Sequence, residues 1–175
     1  MDKKYITVVK AVVAAIGLFL IGQSWFSFIF EYAQRDAVYE AMNGVDFHNL
    51  VYCINGGYLS IILLSLPVFA GTVIAMFVRG KRVFDLSAAA VTVFSCLALF
   101  VLCVALAAYM PSLYENDGDY DRELMLYATA FQSELVPVIA GALALLVNSV
   151  ATLVSVALKK AECAEEKKLA AEVNE

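Results

Sequence analysis

Four apolar stretches, each long enough to cross a bilayer and each separated from the next by a charged connection, constrain this chain more than any other feature. A spanning helix needs about 20 mostly apolar residues, because backbone amides in hydrocarbon must find their partners within the segment. Residues of about 5–28, 54–77, 84–110 and 135–158 meet that requirement. No stretch outside them is long enough for an independent globular core, which gives one four-span membrane domain over residues 1–158 and a charged helical tail over 159–175. The composition agrees, with 62% of the residues hydrophobic and only 17% charged, too few to cover such a core in water.

The distribution of charge says more than the net value of -5. Cytoplasmic flanks collect Lys and Arg. Lys3, Lys4 and Lys10 at the start, Arg79, Lys81 and Arg82 between the second and third spans, and Lys159, Lys160, Lys167 and Lys168 after the fourth make ten of the twelve basic residues. Arg35 and Arg122 lie in the other two connections, outnumbered by Glu31, Asp36, Glu40 and Asp46 and by Glu115, Asp117, Asp119, Asp121 and Glu123. The expected fold is therefore an all-α integral membrane protein, a four-transmembrane-helix antiparallel bundle with both termini cytoplasmic and two acidic extracytoplasmic loops. Its expected location is the plasma membrane, as a multi-pass protein.

The first span reads as a retained anchor. Its apolar run continues to about Phe30 and is followed by aromatic sequence rather than a small-residue cleavage site. Trp25, Phe26, Phe28, Phe30 and Tyr32 suit an outer interfacial belt. Asn43-Gly44 is a helix stop, Pro67 predicts a kink in the second span, and Pro111 is expected to end the third. A further helix is expected to start near Arg122, capped by Asp119 or Asp121, and to run into the fourth span.

Polar side chains in hydrocarbon are costly and point to function or helix packing. Gln23, Asn55 and Glu134 fall at similar depth from the outer ends of their spans, and Asn148 lies deeper. Glu134, Gly141, Asn148 and Ser155 recur every seven residues, a small and polar stripe expected to point into the bundle. The functional reading is an outward-facing pocket with Glu134 as its ionisable member, coupled to Gln23 or Asn55. The alternative is interhelical glue, with Glu134 in headgroup water and Asn148 used for packing.

Asp117, Asp119, Asp121 and Glu123 resemble the opening of a calcium loop, but the glycine follows the first acid and Gln132 stands where the closing glutamate belongs. They read as a solvated acidic turn that attracts cations without selecting one. His48 is the only histidine, and Cys53, Cys96, Cys103 and Cys163 have neither redox nor zinc spacing. No metal and no cofactor is implied, nor is nucleic-acid binding. Catalytic motifs are absent too, so an enzyme is not expected.

Two functions remain. The first is a non-enzymatic multi-pass protein that binds or assembles with another membrane protein or with itself, its partners otherwise being the lipid bilayer. Small residues at Ala11/Ala15, Gly71/Ala75 and Gly141 support close helix approach. The alternative is a small transporter or channel subunit with its outward-facing polar site around Glu134. The middles of the first and third spans, residues 12–20 and 97–107, contain almost no polar side chain, which weighs against a continuous pathway.

Overall fold

The computed structural model describes the backbone of residues 3–41, 48–77, 82–115 and 122–172, and side-chain surroundings within the four apolar segments. These backbone ranges are four helices, α1 (Lys3–Ala41), α2 (His48–Phe77), α3 (Arg82–Glu115) and α4 (Arg122–Glu172). All four are long and apolar enough to cross a membrane, over Tyr5–Phe30, Cys53–Ala75, Leu86–Ser112 and Ala128–Leu158. The fourth apolar segment thus begins seven residues before the expected boundary, because Ala128, Thr129, Ala130 and Phe131 continue the apolar face ahead of Glu134. At 51 residues, α4 extends about 76 Å at 1.5 Å per residue, far more than a hydrocarbon core.

The apolar segment of α3 ends at Ser112, next to Pro111 as expected, while the helix itself continues to Glu115. The ring faces outward at an exposed position, where its clash with the preceding turn does not disturb the packed side. Pro67 and Pro137 are likewise contained within continuous α2 and α4.

Buried residues recur at alternating intervals of four and three. On α2 they are Ile54, Tyr58, Ile61, Ser65, Val68 and Thr72. The series Phe131, Leu135, Val138, Ala142, Leu145 and Ser149 repeats the pattern on α4, and Thr92, Cys96, Leu99 and Cys103 repeat it on α3. This is the seam of a left-handed helical bundle, in which an apolar repeat of 3.5 residues keeps one stripe facing the neighbours. The seven-residue period seen in the α4 sequence is real, but the seam runs one residue after the stripe of Glu134, Gly141 and Asn148. That stripe flanks the core on the side facing α1.

Contacts arrange the helices in a ring. α1 packs on α2 and α4, α3 packs on the same two, and α2 and α4 touch slightly across the diagonal. Gly17 of α1 meets Gly141 of α4, and Gly71 of α2 meets Ala88 and Thr92 of α3. A Cβ on Gly141 would lie 2.7 Å from the Gly17 carbonyl oxygen, closer than real Cβ atoms come, so these helices approach only because neither residue has a side chain. Neighbouring helices run in opposite directions: Lys10 and Gly17 pair with Thr152 and Gly141, while Trp25 and Phe28 pair with Ser65 and Tyr58. The α1–α2 contact is much the sparser of the ring contacts, and its aromatic members are Trp25 and Phe28 against Phe69 and Tyr58. The glycines that suggested an association surface are therefore used within the chain.

Candidate functional site

The bundle has two polar places. The far end, where α1 carries Phe28, contains Tyr58 and Glu134. The near end, where α1 begins, contains a cavity.

At the far end, the Tyr58 ring is only 1% exposed and meets Phe131 edge-on at 4.7 Å between centroids, with Phe28 tilted against it at 5.7 Å. Gly57, the preceding residue, makes room for Phe131, since a Cβ there would approach the ring to 2.8 Å. Held in this cage, the Tyr58 hydroxyl donates to a Glu134 carboxylate oxygen at 2.5 Å. A phenol-to-carboxylate bond of this length belongs to the strong, charge-assisted class. Glu134 itself is half-buried.

The expected partners of Glu134 are elsewhere. Gln23 is exposed, because Ile21 and Ser24 occupy the packed face of α1 and the 100° step per residue turns Gln23 away from it. Asn55 is half-buried one turn before Tyr58, and among the described residues no hydrogen bond joins it to Glu134. The long phenol reaches across the bundle where the shorter amide does not. Tyr58 is not among the residues that the sequence marks as costly or polar. Its place in the four-three repeat beside Ile54 and Ile61 was the available signal.

The aromatic belt is divided in the same way. Phe26 and Phe30 are exposed, whereas Trp25 turns inward and donates from its indole nitrogen to the Ser65 hydroxyl at 2.8 Å. Asn148, assigned to the same polar cluster as Glu134, lies 14 residues further along α4, about 21 Å at 1.5 Å per residue. The four candidates do not form one site.

Asn148 instead lines the near-end cavity, whose volume is about 400 Å³. All four helices contribute walls: Thr7 and Lys10 from α1, Thr72 from α2, Thr92 from α3, and Asn148 and Thr152 from α4. The remaining walls include Ala11, Ala14, Ala75 and Ala89. The cavity arises from side-chain length. In this layer the seam positions hold Ala14, Thr72, Ala89 and Ser149, which are too short to meet at the bundle axis, whereas Tyr58, Met110 and Phe131 fill the far end.

Its polar groups are unevenly satisfied. Thr92 donates to the Ala88 carbonyl at 2.8 Å and Thr152 to the Asn148 carbonyl at 2.9 Å, the usual back-bonds of helical threonines. The Lys10 ammonium donates to the Thr152 hydroxyl oxygen at 3.3 Å, which is long for a charged donor. Thr72 is 6% exposed and its hydroxyl oxygen has no hydrogen-bond partner among the described residues. A buried hydroxyl without a partner costs about 1–3 kcal/mol.

Of the acidic loop, Asp117, Asp119 and Asp121 lie outside the described residues, as do the side chains of Glu123, His48 and Cys163. Cys96 and Cys103 are wholly buried free thiols on the α3 seam, used as small packing residues. Cys53 is a half-buried free thiol. No protein-family model matches the chain, and neither a curated protein nor a solved structure matches it. The class defined by the fold is thus a four-helix chain built to span a membrane, and its function has to be argued from the two polar places.

Proposed function

We propose that this protein is a non-enzymatic multi-pass membrane protein that acts by binding, with a small polar molecule or a lipid headgroup as ligand and the near-end cavity as its site. One observation carries the reading: a cavity of about 400 Å³, within the range of small-molecule sites, has polar walls from all four helices of an otherwise apolar bundle. Loosely packed space loses packing contacts and the Thr72 hydroxyl adds to the cost, so such a chamber is stabilised by an occupant.

The charge pattern adds the orientation. With ten of twelve basic residues on its side, the near end faces the cytoplasm, the two acidic connections lie outside, and the plasma membrane is the proposed location. Assembly with another membrane protein or a second copy would use the outward faces, because Gly17, Gly71 and Gly141 are occupied internally. The transport reading draws on the Tyr58–Glu134 pair at the opposite end. Between that pair and the cavity stand Ile21, Ile61, Leu99, Val138 and Leu145, each at most 1% exposed, with the Trp25 indole and Ser65 hydroxyl among them bonded to each other, and this mostly apolar layer favours binding over conduction.

Native mass spectrometry of the full chain, released from membranes, tests the proposal. The wild type is expected to carry a small companion molecule, and Ala89→Leu and Ala11→Leu, which fill the cavity from α3 and α1, are expected to lose it. If both variants melt like the wild type and keep the same companions, or if the wild type carries none, the cavity is not a binding site.

A further inference from the structure

The walls of the cavity differ in their ability to accept and donate. Its eleven lining residues include one lysine, four threonines, a serine and an asparagine, and no aspartate or glutamate. Lys10 lies within the apolar segment of α1, and the Thr152 hydroxyl is its hydrogen-bond partner among the described residues. An ammonium has three donors, so this contact leaves donor capacity facing the chamber. No carboxylate meets it among the described residues, and a partly buried charge is stabilised by a counter-charge and further hydrogen bonds. The Thr72 hydroxyl, buried and without a partner among the described residues, is a second donor, on the α2 wall.

We propose that the cavity binds an anionic phosphate group, with the Lys10 ammonium as its counter-charge and the Thr72 hydroxyl, the Asn148 amide and the Ser149 hydroxyl as further donors. The proposal rests on the reading of the cavity as a ligand site and adds the chemistry of the ligand. Sign follows from the Lys10 ammonium, the charged group among the described wall residues. A phosphate is preferred to a planar carboxylate because the donors come from different helices around the chamber, and tetrahedral oxygens can meet them from several sides. Lysine is a common point-charge binder of phosphate.

The group can belong to a phospholipid or to a soluble phosphate compound. Ala11 is both a wall residue and exposed, so the cavity reaches the bundle surface along α1. The Gly22, Trp25 and Phe28 contacts of α1 with α2 lie toward the far end, leaving a lateral route beside the cavity for a headgroup.

The test uses the full chain in two arms. In non-ionic detergent, inorganic phosphate is titrated against chloride at constant ionic strength. In nanodiscs of phosphatidylcholine, phosphatidic acid is added in steps. The readout in both is the thermal midpoint of unfolding. A saturable rise with inorganic phosphate supports a soluble source, whereas a rise with phosphatidic acid alone supports a headgroup. In either case Lys10→Met should weaken the apparent affinity about tenfold or more, as loss of a charge-assisted hydrogen bond requires. Lys10→Arg should retain binding, and Thr72→Val should weaken it by a smaller factor.

No midpoint rise in either arm beyond that of chloride overturns the proposal, as does a rise that Lys10→Met leaves unchanged. The two readings fail separately. A companion molecule that Ala89→Leu expels but that carries no anionic phosphate removes this inference and leaves the binding reading intact.

Discussion

The two ends of the bundle use the same four-three repeat and reach opposite results. At the far end the seam holds Tyr58, Met110 and Phe131, which fill the axis, and the buried phenol is satisfied by Glu134. At the near end the seam holds Ala14, Thr72, Ala89 and Ser149, a chamber opens, and the Thr72 hydroxyl has no partner among the described residues. The repeat decides where a residue faces, and its size decides whether the place is closed or open. One end is finished by the chain itself. The other is left with donors that the chain does not use.

The comparison can be broken by removing one hydroxyl from each end. Tyr58→Phe keeps the ring and deletes the donor to Glu134, so stability should fall by about 1.5–3 kcal/mol, the usual range for a hydrogen bond to a charged group. This is read as a lower midpoint in denaturing-detergent titration, and no fall would mean that the far end is held by ring packing alone. Glu134→Gln retains an acceptor for the phenol but loses the charge, and the expected loss is smaller, about 1 kcal/mol. A gain in stability there would show that the carboxylate is a burden at its site, and the far end would join the near end as unfinished.

Thr72→Val should act in the opposite direction. It replaces an unpartnered buried hydroxyl with a methyl of similar shape, and the ligand-free protein should gain up to about 1 kcal/mol. A clear loss would reveal a partner for Thr72 and remove the contrast between the ends. Gln23→Leu provides the baseline, since an exposed side chain on the lipid-facing side of α1 should change stability by no more than about 0.5 kcal/mol. A larger effect in the same titration would place Gln23 in the packing after all.

Much of the architecture was legible in the residue order. Four apolar stretches gave four helices long enough to span, a helix starting near Arg122 was anticipated, and the seven-residue period of α4 was visible. The phase of that period was not. Choosing between the stripe at Glu134, Gly141 and Asn148 and the seam one residue later requires knowing which neighbour stands on which side. Pro111 marked the end of the third apolar segment but not of its helix, because a helix tolerates proline where its ring faces away from the packing, and sequence does not say which way it faces.

The candidate site was legible only in fragments. Glu134 and Asn148 were marked as costly polar residues, but Lys10 was counted as a flanking charge and Thr72 was not singled out. What the order of residues determined by itself was the solvent this chain requires, the number of its helices and the sorting of charge between its connections. These depend on segment length and transfer energy, which are properties of each segment alone. Tertiary packing decided that Tyr58 rather than Asn55 meets Glu134, and that short side chains from four separate helices share one layer. A shared layer depends on helix register, and register is set only when the glycines at positions 17, 71 and 141 bring the helices into contact.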